Sequence, residues 1–369
     1  MQKLIYTFLL ALICSASIAQ EGLGYYYDYY NHFYVFDNGK NIQLESEPVD
    51  SIRAGNDYLA YIAQNGNLKV YYNGETETIE ENIPNVMIAA ANAFVYKMAQ
   101  RLMIYEHGEK KQLSSWAQNC LAGDNIVTWQ QVNTLNIMAY QNGEIKTIES
   151  GFSVKAIDTS KTGKNIFAYS DMNHEFKIFY NDVVYDSQLN NIRNFRCGQS
   201  TVAYLDRFNN SFNVFYDGTF SVIADHLPKG YTVADNMVVY TDINDNFMMY
   251  YAGRTVTLET FLPTYRRARE NILIYYYEPE LKIVYGGQVF TVDKLTAQPN
   301  ILLGPSSALY LDNNNRPKYF YKGKVYENFL TEPILEMHLY RDLPVFKYGN
   351  NTVGFYFDGK MYEFEGSKY

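Results

Sequence analysis

The residues best placed to do chemistry are basic. Arg53, Arg196, Arg267 and His338 each stand eight positions before an aromatic residue, respectively Tyr61, Tyr204, Tyr275 and Phe346. Arg266 and Arg269 flank Arg267, and Lys155 lies near the corresponding place in another segment. Guanidinium groups gathered at one level would offer paired N–H donors to carboxylate, sulfate or phosphate. The competing reading pairs each arginine with a nearby acid, or sets it at an end of the fold, with no ligand.

A second regular set is acidic. Asp28, Asp171, Asp206, Asp242 and Asp312 each lie two positions past an aromatic, several with asparagine close behind. Six or more oxygens at set spacing would hold calcium, but these segments lack the glycine of a calcium loop's sharp turn. Asx turns, in which the carboxylate accepts backbone N–H groups, are the expected role. The five histidines, His32, His107, His174, His226 and His338, show no metal-ligand spacing. Gly-x-Ser-x-Gly and phosphate-cradling glycine loops are also missing, so no metal and no cofactor is expected. A pair of acids could still converge in space for glycan cleavage.

Composition narrows the classes. With 31 basic and 40 acidic residues the net charge is -9, which argues against a nucleic-acid partner. Residues 4–13 are apolar but too few to span a bilayer. With Lys3 before them and Ser17-Ile18-Ala19 after, they read as a signal peptide over residues 1–19, followed by a mature chain 20–369. Leu12-Ile13 ahead of Cys14 is a poor lipoprotein signal. The expected product is exported to the periplasm or outside the cell, without a membrane span. Cys120 and Cys197 are not expected to pair with each other, since a whole repeat separates them.

The elements that must position these residues are repeats. Turns recur at Gly39, Gly74, Gly108, Gly143, Asp182, Gly218, Gly253, Gly287, Gly323 and Gly359, spaced 34 to 39 residues apart. Ahead of them stand Tyr26, Tyr61, Tyr96, Trp129, Tyr169, Tyr204, Tyr240, Tyr275, Tyr310 and Phe346, all aromatic. Three residues before each turn a second column is Phe or Tyr in every repeat except at Val284. Short runs of Val, Ile, Tyr and Phe between Asn-Gly or Asp-Gly turns read as antiparallel strands. In the second repeat these fall at residues 51–54, 58–63, 68–72 and 75–79. Residues 86–101, rich in Ala and Met, keep the repeat phase and are likewise read as strand.

Ten repeats of about 36 residues, each a four-stranded unit, resemble a β-propeller over residues 22–365. The fold class expected is all-β, one propeller of about ten blades, with two five-bladed rings as the alternative and the long fifth repeat as the place where the phase slips. Against a split, Asn190-Asn191-Ile192-Arg193 runs straight into the next strand with no linker composition. The first repeat begins at its aromatic strand, so its blade is expected to be incomplete. The small-residue zone at Ala54-Gly55, Ala89-Ala90, Ala122-Gly123, Cys197-Gly198 and Gly304 suits the crowded innermost strand. The blade motifs of WD40, kelch and sialidase-like propellers are missing, so the resemblance carries architecture alone. The expected function is an exported, non-catalytic binding module of the bacterial cell envelope with an anionic glycan or protein partner at Arg53, Arg196, Arg267, Arg269 and His338. The alternatives are a secreted glycan-active hydrolase or lyase with a central-funnel site, and a structural subunit of an envelope assembly.

Overall fold

Among the described residues of the computed structural model every regular element is a β-strand, and 39 of them form ten separate antiparallel sheets in strict chain order. The structure describes residues 22–151, 161–171, 173–330 and 332–369. The second blade shows why these residues fold so. Its strands Asp50–Ala54, Tyr58–Ile62, Leu68–Tyr72 and Glu75–Glu80 pair in sequence order. Tyr58–Ile62 is buried throughout, whereas Glu75–Glu80 is mostly exposed and polar. Between the third and fourth strands, Asn73 and Gly74 have φ of 50° and 88°. That left-handed pair is what a tight hairpin needs and what Asn-Gly supplies with least strain. The Ala- and Met-rich stretch is indeed two strands, Val86–Ala89 and Ala93–Met98.

The aromatic columns are the walls between blades. All ten members of the first column are buried, from Tyr26 to Phe346, and so are all ten of the second, Val284 included. They divide into ten apolar cores, one at each junction of neighbouring blades. The core between the fifth and sixth blades is continuous through Phe176, Phe195 and Tyr204, so the chain does not split into two five-bladed rings. Closure comes where Phe36 of the first blade stacks on Phe355 of the tenth, ring centroids 4.6 Å apart. Val345, Val353 and Tyr26 complete that core.

The first blade is incomplete, as expected from its start at the aromatic strand. It has three strands, Leu23–Tyr27, Phe33–Asp37 and Lys40–Glu45, because the described chain enters directly at the aromatic strand. Residues 366–369 lie at the start of the inner position, where no other described strand pairs with the first blade. Tyr27 N–H donates to Lys368 O and Ser367 N–H to Tyr27 O, each at 2.9 Å. The Ser367 hydroxyl donates to Asp28 O, the Lys368 ammonium lies over the Tyr27 ring, and Tyr369 stacks on His338. The two ends of the described chain thus close the ring by sharing one blade.

Candidate functional site: the central channel

Strand register decides what lines the axis. In nine blades the inner-strand residue opposite the one just before the aromatic column is, in order, Arg53, Ile88, Leu121, Lys161, Arg196, Thr232, Arg267, Leu302 and His338. Equivalent register puts these nine at one level of the channel. Three arginines named from the sequence, with His338, therefore share a belt. The fifth blade's member is Lys161, which the same count back from Tyr169 gives. Lys155, named from the sequence as lying nearby, falls outside the described residues. A cavity of about 500 Å3 opens among these inner strands and is bordered by Ile88, Leu121, Lys161, Thr162, Arg196 and Cys197.

The belt's arginines differ in what holds them. Arg53 donates to the carbonyls of Ile52 and Met87, and Arg196 lies over the Tyr231 ring, 5.2 Å from its centroid. Arg266 lies 5.9 Å from the centroid of Phe247. Among the described residues, no ion pair with a carboxylate is formed by Arg53, Arg196, Arg266 or Arg267, although acids outnumber bases in the chain. Arg269 is committed elsewhere: it donates to Leu303 O at 2.6 Å and stands 3.8 Å from Glu270. His338 packs between Tyr340 and Tyr369, and burial holds its pKa below the ordinary histidine value, which keeps the ring neutral at pH 7. The belt cations without a carboxylate partner among the described residues are thus Arg53, Lys161, Arg196 and Arg267, with Arg266 beside them, and the Lys161 ammonium donates to Phe195 O at 2.8 Å.

One end of the channel is tied across. The turns that follow the inner strands meet backbone to backbone around the axis: Asn125 N–H donates to Lys164 O, Lys164 N–H to Gly198 O, and Gln199 N–H to Asp235 O, at 2.7 to 3.0 Å. This is why the zone holds small residues. A Cβ on Gly163 would lie 1.8 Å from Gly198 O, and one on Gly123 equally close to Gly163 O. Lys164 reaches from the fifth blade to Asp124 of the fourth at 3.4 Å, Asp235 of the seventh at 2.8 Å and Glu270 of the eighth at 2.5 Å. Burial pushes Asp235 up to about 6, with Glu270 and Asp124 adding to the rise against the pull of Lys164. Asp124, Asp235 and Glu270 are therefore spent on Lys164, which stands in the turn after the strand that carries Lys161.

The remaining candidates resolve into structure. Asp312 Oδ1 accepts the N–H groups of Asn314 and Arg316, Asp242 those of Asn244 and Asn246, and Asp171 those of Asn173 and Glu175. Asp206 and Asp28 accept backbone N–H groups in the same way. These oxygens close Asx turns, as the spacing suggested. Cys120 and Cys197 are both free thiols, in the fourth and sixth blades. Burial pushes Cys197 up to about 12 even with Lys161 nearby. The sequence reading missed a repeated contact. Tyr61, Tyr96, Tyr169 and Tyr275 each donate to a glutamate ending the preceding blade, Glu45, Glu80, Glu149 and Glu259. Lys69, Lys110, Lys177 and Lys282 face the same four acids. A glutamate sixteen residues before the column tyrosine was the available signal in three of the four.

Ten sheets of radial, antiparallel strands about one axis define a β-propeller. A family model described as a ten-bladed β-propeller domain matches residues 17–362, and the chain belongs to that family. No curated protein matches it. Several solved structures resemble it at low identity. The computationally designed Ika8 protein is 12% identical, with 74% of this chain and 96% of that one covered and a TM-score of 0.33. The CRINKLY WD40 ectodomain of the Arabidopsis thaliana receptor kinase ACR4 is 6% identical over 66% of this chain and 98% of its own, with a TM-score of 0.37. Kluyveromyces lactis Hsv2p is 10% identical over 74% and 93%, with a TM-score of 0.32.

Proposed function

We propose that this propeller is an exported, non-catalytic binding module of the bacterial cell envelope whose central channel takes an anionic glycan or the acidic part of a protein partner. The observation that carries it is the belt: Arg53, Lys161, Arg196 and Arg267 share one register level, and the three arginines have no carboxylate partner among the described residues. Unpaired like charges at one level repel, and an oxyanion relieves that repulsion while using the guanidinium donors. The export half of the proposal rests on residues 1–19, which lie outside the described part. The hydrolase reading has less to stand on, since Asp124, Asp235 and Glu270 surround Lys164 and the cavity at the belt is bordered by no carboxylate.

The test is calorimetric titration of the purified protein with polygalacturonate, a sulfated polysaccharide, an acidic peptide and neutral dextran, with product release assayed in parallel. The expected result is binding to one or more of the acidic ligands that weakens as salt rises, no uptake of dextran and no new chain ends. Release of fragments would replace the proposal with an enzyme. Failure of all the acidic ligands would remove the belt as a site.

A further inference from the structure

We infer that the ligand's acidic group is an oxyanion carried on a sugar, a uronate or a sulfated saccharide unit, and that it seats in one pocket on the seventh blade's inner strand, between Arg196 on one side and Arg266 and Arg267 on the other. This rests on the binding role proposed above and adds where and what is bound. The three arginines border a cavity of about 270 Å3 together with Gly230, Tyr231 and Thr232, and no carboxylate borders it. It has room for a single pyranose-sized unit.

Gly230 is the residue that makes the space. It stands opposite Thr241, one past the aromatic column, where other blades carry Asp50, Val86, Gln118, Tyr265 and Glu336. Glycine there is required neither by the backbone, whose φ is not in the left-handed region, nor by crowding, since an added Cβ would meet nothing within 4 Å. This sets it apart from Gly123, Gly163 and Gly198, whose Cβ atoms would strike the next blade's carbonyls. A strand glycine without a packing reason weakens the strand, so open space beside it is the remaining use.

The aromatic rings fix the arginines in a receptive pose. Tyr231 lies against the guanidinium of Arg196, and Phe247 against that of Arg266. A guanidinium held by its face keeps its N–H edge for a bidentate oxyanion. The Thr232 hydroxyl and the phenol group of Tyr231 add neutral donors and acceptors of the kind that sugar hydroxyls use. Burial pushes the Tyr231 hydroxyl up to about 12, and like any tyrosine it is a donor at neutral pH.

Titration of trigalacturonate, a sulfated trisaccharide, the neutral trisaccharide and inorganic phosphate into wild type, Gly230→Leu, Arg196→Gln, Arg267→Gln and Arg53→Gln tests it. The expected result is that wild type takes one or both acidic trisaccharides. Gly230→Leu, Arg196→Gln and Arg267→Gln should then lose affinity tenfold or more at an unchanged melting temperature, while Arg53→Gln, which removes one belt charge outside this pocket, should lose only about twofold to threefold. If Arg53→Gln loses binding and Gly230→Leu retains it, this pocket is overturned while the channel reading stands. If phosphate alone matches the acidic sugars, the sugar class is overturned. If wild type takes neither acidic trisaccharide, the pocket is overturned, and binding of another acidic ligand would leave the channel reading intact.

Discussion

Tyrosine is used here for its ring and its hydroxyl together. The ring fills the wall between blades, and in several repeats the hydroxyl crosses that wall to a carboxylate. Tyr61 donates to Glu45 at 2.8 Å while Lys69 holds the same oxygen at 2.7 Å. Tyr310 occupies the same column position, yet its buried hydroxyl has no partner among the described residues. The two sites should answer oppositely to one change. Tyr61→Phe should cost about 1–2 kcal/mol, because a charged acceptor loses a donor, whereas Tyr310→Phe should be neutral or slightly stabilising. Urea unfolding of the two variants decides it, and equal losses would show that the bond to Glu45 adds nothing to the worth of the hydroxyl.

At the scale of the element, the inner turns carry a constraint that the outer hairpins do not. Gly163 has Gly198 O where its Cβ would go, and both atoms belong to backbone that cannot rotate away. Gly163→Ala should cost about 3 kcal/mol or more and lower the melting temperature. Gly74 lies in a hairpin with nothing within 4 Å of its Cβ position, and its strain comes from a φ of 88° alone. Its alanine variant should cost about 1 kcal/mol. Reversal of that order by thermal unfolding would mean that neighbouring turns are not packed backbone to backbone. The Asx turns stand on the opposite face of the ring and act within single blades.

For the whole molecule the decisive contact is between the ends. A ring of like blades has no natural terminus, and here residues 366–369 lie along Tyr27 while Phe36 stacks on Phe355. The aromatic core holds the tenth blade to the first, and the short pairing keeps the first blade's inner edge from opening. A chain ending at Glu365 should still fold, since that core remains, but melt lower by about 5 °C or more. Limited proteolysis should then cut first in the first blade. An unchanged melting temperature and digestion pattern would assign closure to the aromatic stack alone.

The sequence by itself determined the strand class, the repeat length and the blade count, because one hydrophobic wall is solved ten times over and so leaves columns that survive any single exception such as Val284. It also placed Arg53, Arg196, Arg267 and His338 at one offset, since strand register converts a fixed offset into a fixed height. Partners are another matter, because they come from other blades. Lys164 meets Glu270 from 106 residues away, Arg269 turns to Leu303 of the next blade, and Gly230 shares a cavity with Arg196 and Arg267 of the two neighbouring blades. No local pattern encodes such neighbours. The ring closure sets which blades face one another, and only the tertiary structure could separate arginines left open to a ligand from those already bound.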